Sequence, residues 1–368
     1  MNGRQRILTA IARRQADRIP IDFWAVEEVY RRLATALGVA DTEGVLRAFD
    51  VDLRYFRGPS LAADRLRRHD DGSFEDHWGV RRRYQTVTGR RESGEPYTWR
   101  YKHLVHSPLA AAETVADIER HAWPDAAAWD YSGVRESCLA IRAAGCAVVF
   151  GGDRLDRTAQ LKAAMYLRGT EQFMADLALQ PAMAECLLEH VAAYYLDYNR
   201  RVFEAAGGNI DVFFMGDDMG TQSSTWVSPE MYRRFFQGRF ARFNEQAHAH
   251  GAKTMYHTCG KVTALVGQFV EAGLDVLQSL QPASMEGDLA ELKRQYGRDL
   301  CLAGGIDIQH LLPRGTPGQI AEQVRQRAGV LGAGGGYIFG TAHNILPDSP
   351  TENILALIEA YRRFGRYG

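Results

Sequence analysis

A histidine and a cysteine stand two residues apart in "MYHTCGKV" (255–262), after an apolar stretch and just before a helical pattern. Alternation along a strand puts residues i and i+2 on one face, so His257 and Cys259 would aim an imidazole and a thiol at one point. The bland reading is a buried His beside a buried Cys. The chemical reading is two ligands of a metal ion, and zinc suits a mixed nitrogen and sulfur set. A third ligand must come from another strand end, and His343, Asp217, Asp218 and Cys301 are the candidates. Three protein ligands with an open fourth position would make the site catalytic. Such a centre deprotonates an incoming thiol at neutral pH and so makes a nucleophile of it.

Further polar residues fall where predicted strands end. Asp153 and Arg154 follow one strand, Asp217 and Asp218 another, with Gln222 in the loop beyond. Gln278 and Gln281, Asp307, and His343 with Asn344 follow three more. We take Asp217, Asp218 and His343 as candidate catalytic groups. Asp153, Arg154, Gln222, Gln278, Gln281, Asp307 and Asn344 are candidates for binding substrate. Plain structural roles compete: Asp217 and Asp218 could cap a loop, and Cys301, inside "LCLAG", reads better as a small buried hydrophobe. Trp78, Trp123 and Trp129 read as packing residues. Gly334, Gly335 and Gly336 precede a strand, where a tight turn explains them better than a phosphate cradle.

The elements that must position these groups repeat from about residue 132: amphipathic helix, Gly or Asn, short apolar strand, polar loop. "CAVVFGG", "NIDVFFMGDD", "AKTMYHTCG", "LDVLQSLQP", "LCLAGGID" and "GGYIFGTAHN" are the six strands. Ser228 and Pro229 open one of the helices as N-cap and first helical residue. Upstream, 18–24 and 51–59 supply two more strands. Eight strands alternating with helices predict an α/β fold of the (β/α)8 TIM-barrel type, with chemistry at the C-terminal ends of the strands. No Gly-x-Gly-x-x-Gly opens a helix, which disfavours a dinucleotide fold. Residues 60–130 break the rhythm with alternating, Gly-punctuated sequence. They predict an antiparallel β-hairpin insertion after the second strand, near the C-terminal mouth.

Composition bounds the partners. The chain has 368 residues, with 46% hydrophobic and 24% charged residues and a net charge of −1. That is ordinary for a soluble protein, and it offers no basic footprint for nucleic acid or a membrane surface. No apolar run approaches a membrane span. The N-terminal stretch reads as a first helix, not a signal peptide. Five scattered cysteines argue against a disulfide framework and for the reducing cytoplasm.

Three stretches, "HTCGKVTALVGQFVEAGLDVLQSLQP", "LAGGIDIQHLLPRGTP" and "GGGYIFGTAHNILPDSPTENILALIEA", resemble the uroporphyrinogen decarboxylase superfamily. "WGVRRRY" and "AWPD" are similar to its decarboxylase-like branch. The resemblance covers most of the chain and is strongest over 209–360. It implies a single (β/α)8 barrel domain over residues 1–368 and is compatible with a homodimer. One branch consists of zinc-dependent methyltransferases that move a methyl group between a corrinoid protein and a thiol or related acceptor. Their signature is His-x-Cys and then a distant Cys, all on zinc. His257 and Cys259 match the first two. The third falls near "GTAHN", where this chain offers His343 in place of Cys. The resemblance thus implies zinc as cofactor, a corrinoid as substrate or on a partner protein, and a small-molecule substrate, in a methyltransferase or demethylase component. The alternative it implies is a metal-free decarboxylase of a tetrapyrrole or other carboxylate. For that activity Tyr166 is a loose match to a substrate-site tyrosine and His343 matches a substrate-site histidine. The carboxylate-clamping Arg-rich stretch is missing: "IPIDFWAVEEVYRR" has acids in its place. A third reading is a non-catalytic corrinoid- or tetrapyrrole-binding protein.

Overall fold

The structure, a computed structural model, describes residues 1–56, 58–61, 67–151, 158–285 and 289–367. The apolar runs between the amphipathic helices form parallel strands. These are β1 (Leu53–Phe56), β2 (Ala147–Phe150), β3 (Val212–Asp217), β4 (Lys253–Thr258), β5 (Val276–Gln278), β6 (Cys301–Ile306) and β7 (Tyr337–Thr341). They pair in chain order into one curled seven-stranded sheet. Their near-continuous burial is that of strands covered on both faces.

The expected strand over 18–24 is corrected to an irregular segment. Pro20 has no N–H to donate, and the segment makes only isolated parallel bridges, Ile21 with Phe339 and Ala25 with Ile345. It nevertheless lies between the two ends of the sheet. Phe339 N donates to Pro20 O at 2.8 Å, Asp22 N donates to Phe339 O at 2.8 Å, and Asp52 N donates to Ile21 O at 3.0 Å. The result is a TIM-barrel-like α/β fold.

Alternate strand residues point inward. Leu53, Val149, Val212, Met255, Val276, Cys301 and Ile338 form an inner cluster with Ile7, Ala10 and Ile11 of the helix Gly3–Ile11. That helix opens with a capping box, the Asn2 side chain accepting from Gln5 N while the Gln5 side chain accepts from Asn2 N. It sits at the N-terminal end of the strands, where Arg4 N donates to Gly145 O just ahead of β2. Truncating Ile7 there would cost roughly 2–5 kcal/mol. The inward positions at the opposite end carry polar and aromatic groups.

Residues 67–106 form a separate four-stranded antiparallel sheet, dominated by the hairpin of Arg81–Arg90 with Pro96–His106. Ser60–Leu61 pairs with Trp129–Asp130, so the two ends of the excursion meet. The tryptophans fasten it to the helix Pro181–Ala206. Trp78 lies 4.6 Å from the Tyr194 ring, Trp123 stacks on His190 at 4.5 Å, and Trp129 Nε1 donates to the Tyr194 hydroxyl at 3.0 Å. At the far end Arg91 Nε donates to Pro347 O at 3.0 Å, beside the loop that follows β7.

Candidate metal centre

On β4 the inward positions are Met255, in the inner cluster, and then His257. The strand ends at Thr258, so Cys259 leaves it on the first residue of the loop. His257 is buried, and its Nδ1 meets Oε1 of Gln278, its register partner on β5. An amide oxygen only accepts, so this contact places the proton on Nδ1 and leaves the Nε2 lone pair facing the mouth. Nε2 lies 3.8 Å from Asp218 Oδ1.

His343 reaches the same place from the loop after β7. Trp24 organises the two rings: it stacks on His343 at 5.6 Å and meets His257 edge-on at 5.5 Å. The two imidazoles are 5.1 Å apart. Ligand atoms of His257, Cys259 and His343 all lie within 4.8 Å of one another, close enough to converge on one ion by side-chain rotation. An N, S, N set with a preset histidine tautomer fits zinc. Cys301 is elsewhere: it packs in the inner cluster, and burial pushes its thiol up to about 12. No disulfide joins the five cysteines.

The two adjacent acids face different ways, Asp217 closing the strand and Asp218 opening the loop beyond it. Asp217 is buried and accepts from the backbone N–H groups of Gln160 at 2.7 Å and Lys162 at 2.7 Å. It therefore holds the first turn of the helix Leu161–Arg168. Burial raises its carboxyl pKa, against the pull of those N–H groups. Asp218 turns to the metal candidates. Its Oδ1 accepts from Cys259 Sγ at 2.9 Å and its Oδ2 pairs with Lys162. Burial works against ionisation, but the Lys162 ammonium holds this carboxyl well below the usual range.

The loops carrying Asp218 and Cys259 are locked backbone to backbone. A Cβ on Gly260, at φ +85°, would come within 2.4 Å of the Gly220 carbonyl carbon, and Lys261 N donates to Thr221 O at 2.8 Å. Gln281 braces the same turn, its Oε1 accepting from Gly260 N at 3.0 Å. Its Nε2 donates to Gln309 Oε1 at 2.8 Å and to Gln222 Oε1 at 3.2 Å. Gln281 and Gln222 are thus engaged with each other beneath the Cys259 loop. Asp307 Oδ1 closes a turn by accepting from Gln309 N at 2.6 Å. Tyr166 lies under the Arg82 guanidinium, 4.3 Å from its ring centre. Asn344 lines the cavity at the mouth. Asp153 and Arg154 lie outside the described residues.

That cavity has a volume of about 990 Å³ and is open to His257 and His343 on one side. It brings in residues that strand-end reasoning missed: Lys162, Trp24, Tyr55 and Asp22. Tyr55 Oη donates to Asp22 Oδ2 at 2.8 Å. Burial pushes the Asp22 carboxyl up to about 6, against the Tyr55 hydrogen bond.

Fold and site together define a TIM-barrel-like protein with a candidate His/Cys/His metal centre at its mouth. Residues 112–364 match the uroporphyrinogen decarboxylase (URO-D) family model, and the chain belongs to that family. The methylcobamide:CoM methyltransferase MtaA of Methanosarcina barkeri is 31% identical over 150 residues, 41% of each chain. The uroporphyrinogen decarboxylase of Coxiella burnetii is 21% identical over 268 residues, 71% of this chain and 70% of the relative. The chain spans about half the length of the curated methyltransferases it matches. A solved methyltransferase from Methanosarcina mazei shares the fold over 99% of both chains, with a TM-score of 0.68 at 18% identity. Among the described residues no helix is long and apolar enough to cross a membrane.

Proposed function

We propose that this chain is an enzyme of zinc-dependent methyl transfer, with a corrinoid as methyl donor, free or on a partner protein, and a small thiol as acceptor. The convergence of His257, Cys259 and His343 beside Asp218 carries this reading. The methyltransferases among the relatives support it at the level of the family. We take residues 1–368 as one domain, with 60–130 as an excursion flanking the mouth.

A zinc ion held by His257, Cys259 and His343 would supply Lewis acidity that lowers the pKa of a thiol bound in its open position. The chain's own residues prepare that place. Gln278 keeps the proton on His257 Nδ1, so Nε2 offers its lone pair. Asp218 Oδ1 accepts the Cys259 S–H hydrogen bond and so orients the sulfur, and the Lys162 ion pair keeps that carboxylate charged. Trp24 covers both imidazoles and keeps water from their faces. Asp217 acts at one remove, fixing the helix turn that presents Lys162.

The decarboxylase reading fits the cavity less well, since its described cations, Arg54 and Lys162, are already paired with Glu43 and Asp218, and Asp22 adds a further carboxyl. The test is a transfer assay with methylcobalamin as donor and 2-mercaptoethanol as acceptor, followed by loss of the methylcobalamin spectrum. Transfer that stops on Cys259→Ala substitution is the expected result. Uroporphyrinogen decarboxylation that persists in chelator, with no transfer to thiol, would overturn the proposal.

A further inference from the structure

The described Asp, Glu, Lys and Arg residues lining the cavity are Asp22, Glu43, Arg54 and Lys162. Two of the charges cancel within the wall, Glu43 Oε2 lying 2.8 Å from Arg54 Nε. Lys162 is taken by Asp218. Asp22 is different: it forms no ion pair among the described residues, one carboxylate oxygen accepts from Tyr55, Oδ1 has no side-chain partner, and besides the backbone of Phe23 only Arg54, itself paired with Glu43, acts on it, through space. Tyr55 continues into a chain of edge contacts along the same cavity wall, Tyr55 to Phe214 at 5.5 Å and Phe214 to Trp24 at 6.2 Å.

Asp22 also lies near the metal candidates. Trp24, two residues along the same segment, touches both imidazoles. Asp22 and Gln278, the partner of His257, wall the same small space beneath the mouth. A buried carboxylate without an ion-pair partner is costly, and aromatic rings on the wall of a cavity favour a cation wherever a face is open to it. The two features meet in a ligand that brings its own positive charge.

We propose that Asp22, with Tyr55 and Trp24, is the specificity-determining end of the cavity, and that it selects an acceptor bearing an ammonium group: a small aminothiol, with its sulfur toward His257, Cys259 and His343. The thiol half of this inference rests on the function proposed above; the ammonium half rests on Asp22 alone. Burial pushes the Asp22 carboxyl only to about 6, so it is mostly ionised at neutral pH and able to hold such a group. The remaining volume of the cavity is left for the methyl donor.

Calorimetric titration of the zinc-reconstituted full chain with cysteamine, 2-mercaptoethanol and 2-mercaptoethanesulfonate tests this. The three thiols have the same reach and carry a positive, a neutral and a negative far end. Cysteamine should bind about tenfold more tightly than 2-mercaptoethanol, the scale of one charge-assisted hydrogen bond, and 2-mercaptoethanesulfonate should bind most weakly. Asp22→Asn should abolish the ranking. Propylammonium, which has no thiol, should bind wild type and Cys259→Ala but not Asp22→Asn. If cysteamine binds no better than propylammonium while both require Asp22, the ammonium site stands and the thiol chemistry fails. Tightest binding of 2-mercaptoethanesulfonate, or a cysteamine preference that survives Asp22→Asn, would overturn the proposal. Should Asp22→Asn not fold, the wild-type ranking alone decides.

Discussion

The Cys259 thiol donates to Asp218 Oδ1 at 2.9 Å, while the other oxygen of that carboxylate holds Lys162. A candidate ligand to a metal is thereby tied to a charged neighbour that orients its sulfur. Asp218→Asn keeps the shape and removes the charge. Metal affinity should fall on the order of tenfold, measured on the folded variant by competition with a coloured chelator, and the melting temperature should fall as well because Lys162 loses its partner. Unchanged affinity would show that the carboxylate is a bystander.

The Gln278 contact makes a second prediction. Gln278→Leu leaves the buried His257 Nδ1–H without its acceptor, at a cost of about 1–3 kcal/mol. The imidazole should then populate both tautomers, visible as a shifted nitrogen resonance, and metal affinity should drop with it. A variant with an unshifted ring spectrum would contradict the assigned proton position.

The cysteines separate by environment. Burial pushes Cys301 up to about 12 and Cys138 up to about 11, so both remain neutral thiols at pH 8. Iodoacetamide on the folded chain should spare them, and chelation should raise labelling of Cys259. Cys301→Ser should keep metal content near wild type. Rapid alkylation of Cys301 in the native state, or metal loss on its replacement, would reverse the assignment.

Asp22 gives a pH signature with a definite sign. Its folded value of about 6 lies above an ordinary 3.8, so the folded state binds the proton more tightly. Stability is therefore lost as pH rises through that window, and the penalty persists above it, at most ~3 kcal/mol. Asp22→Asn should raise the melting temperature at pH 8 and not at pH 4. Equal effects at both pH values would show that Asp22 titrates normally.

Much of this architecture was legible because it is local. The two-residue spacing suggests His257 and Cys259 aimed at one point, although Cys259 reaches it from the first residue of the loop, and helix–strand alternation alone implies a parallel sheet. The segment at 18–24 misled because its apolar pattern hides Pro20, which cannot donate to a ladder. Asp217 and Asp218 read as a pair, yet the strand ends between them, and only the folded helix at Leu161–Arg168 shows which acid it claims. Lys162, Trp24 and Asp22 carried no spacing signal. They meet the site only when the segment 20–25 lies between the two ends of the sheet, a contact between distant parts of the chain that no local pattern encodes. Gln222 and Gln281 read as ligand-binding amides, whereas their hydrogen bonds to each other and to Gln309 emerge only from loop packing.

The central claim is one metal ion shared by His257, Cys259 and His343. Elemental analysis of the full chain, purified without chelator or a nickel column and reconstituted with zinc, measures it most directly. We predict about one zinc per chain, most of it lost in Cys259→Ala, and affinity weakened on the order of tenfold or more in His343→Ala, with both variants folded. A wild-type chain that stays free of metal after reconstitution would contradict the account, and so would a Cys259→Ala variant that keeps its full zinc.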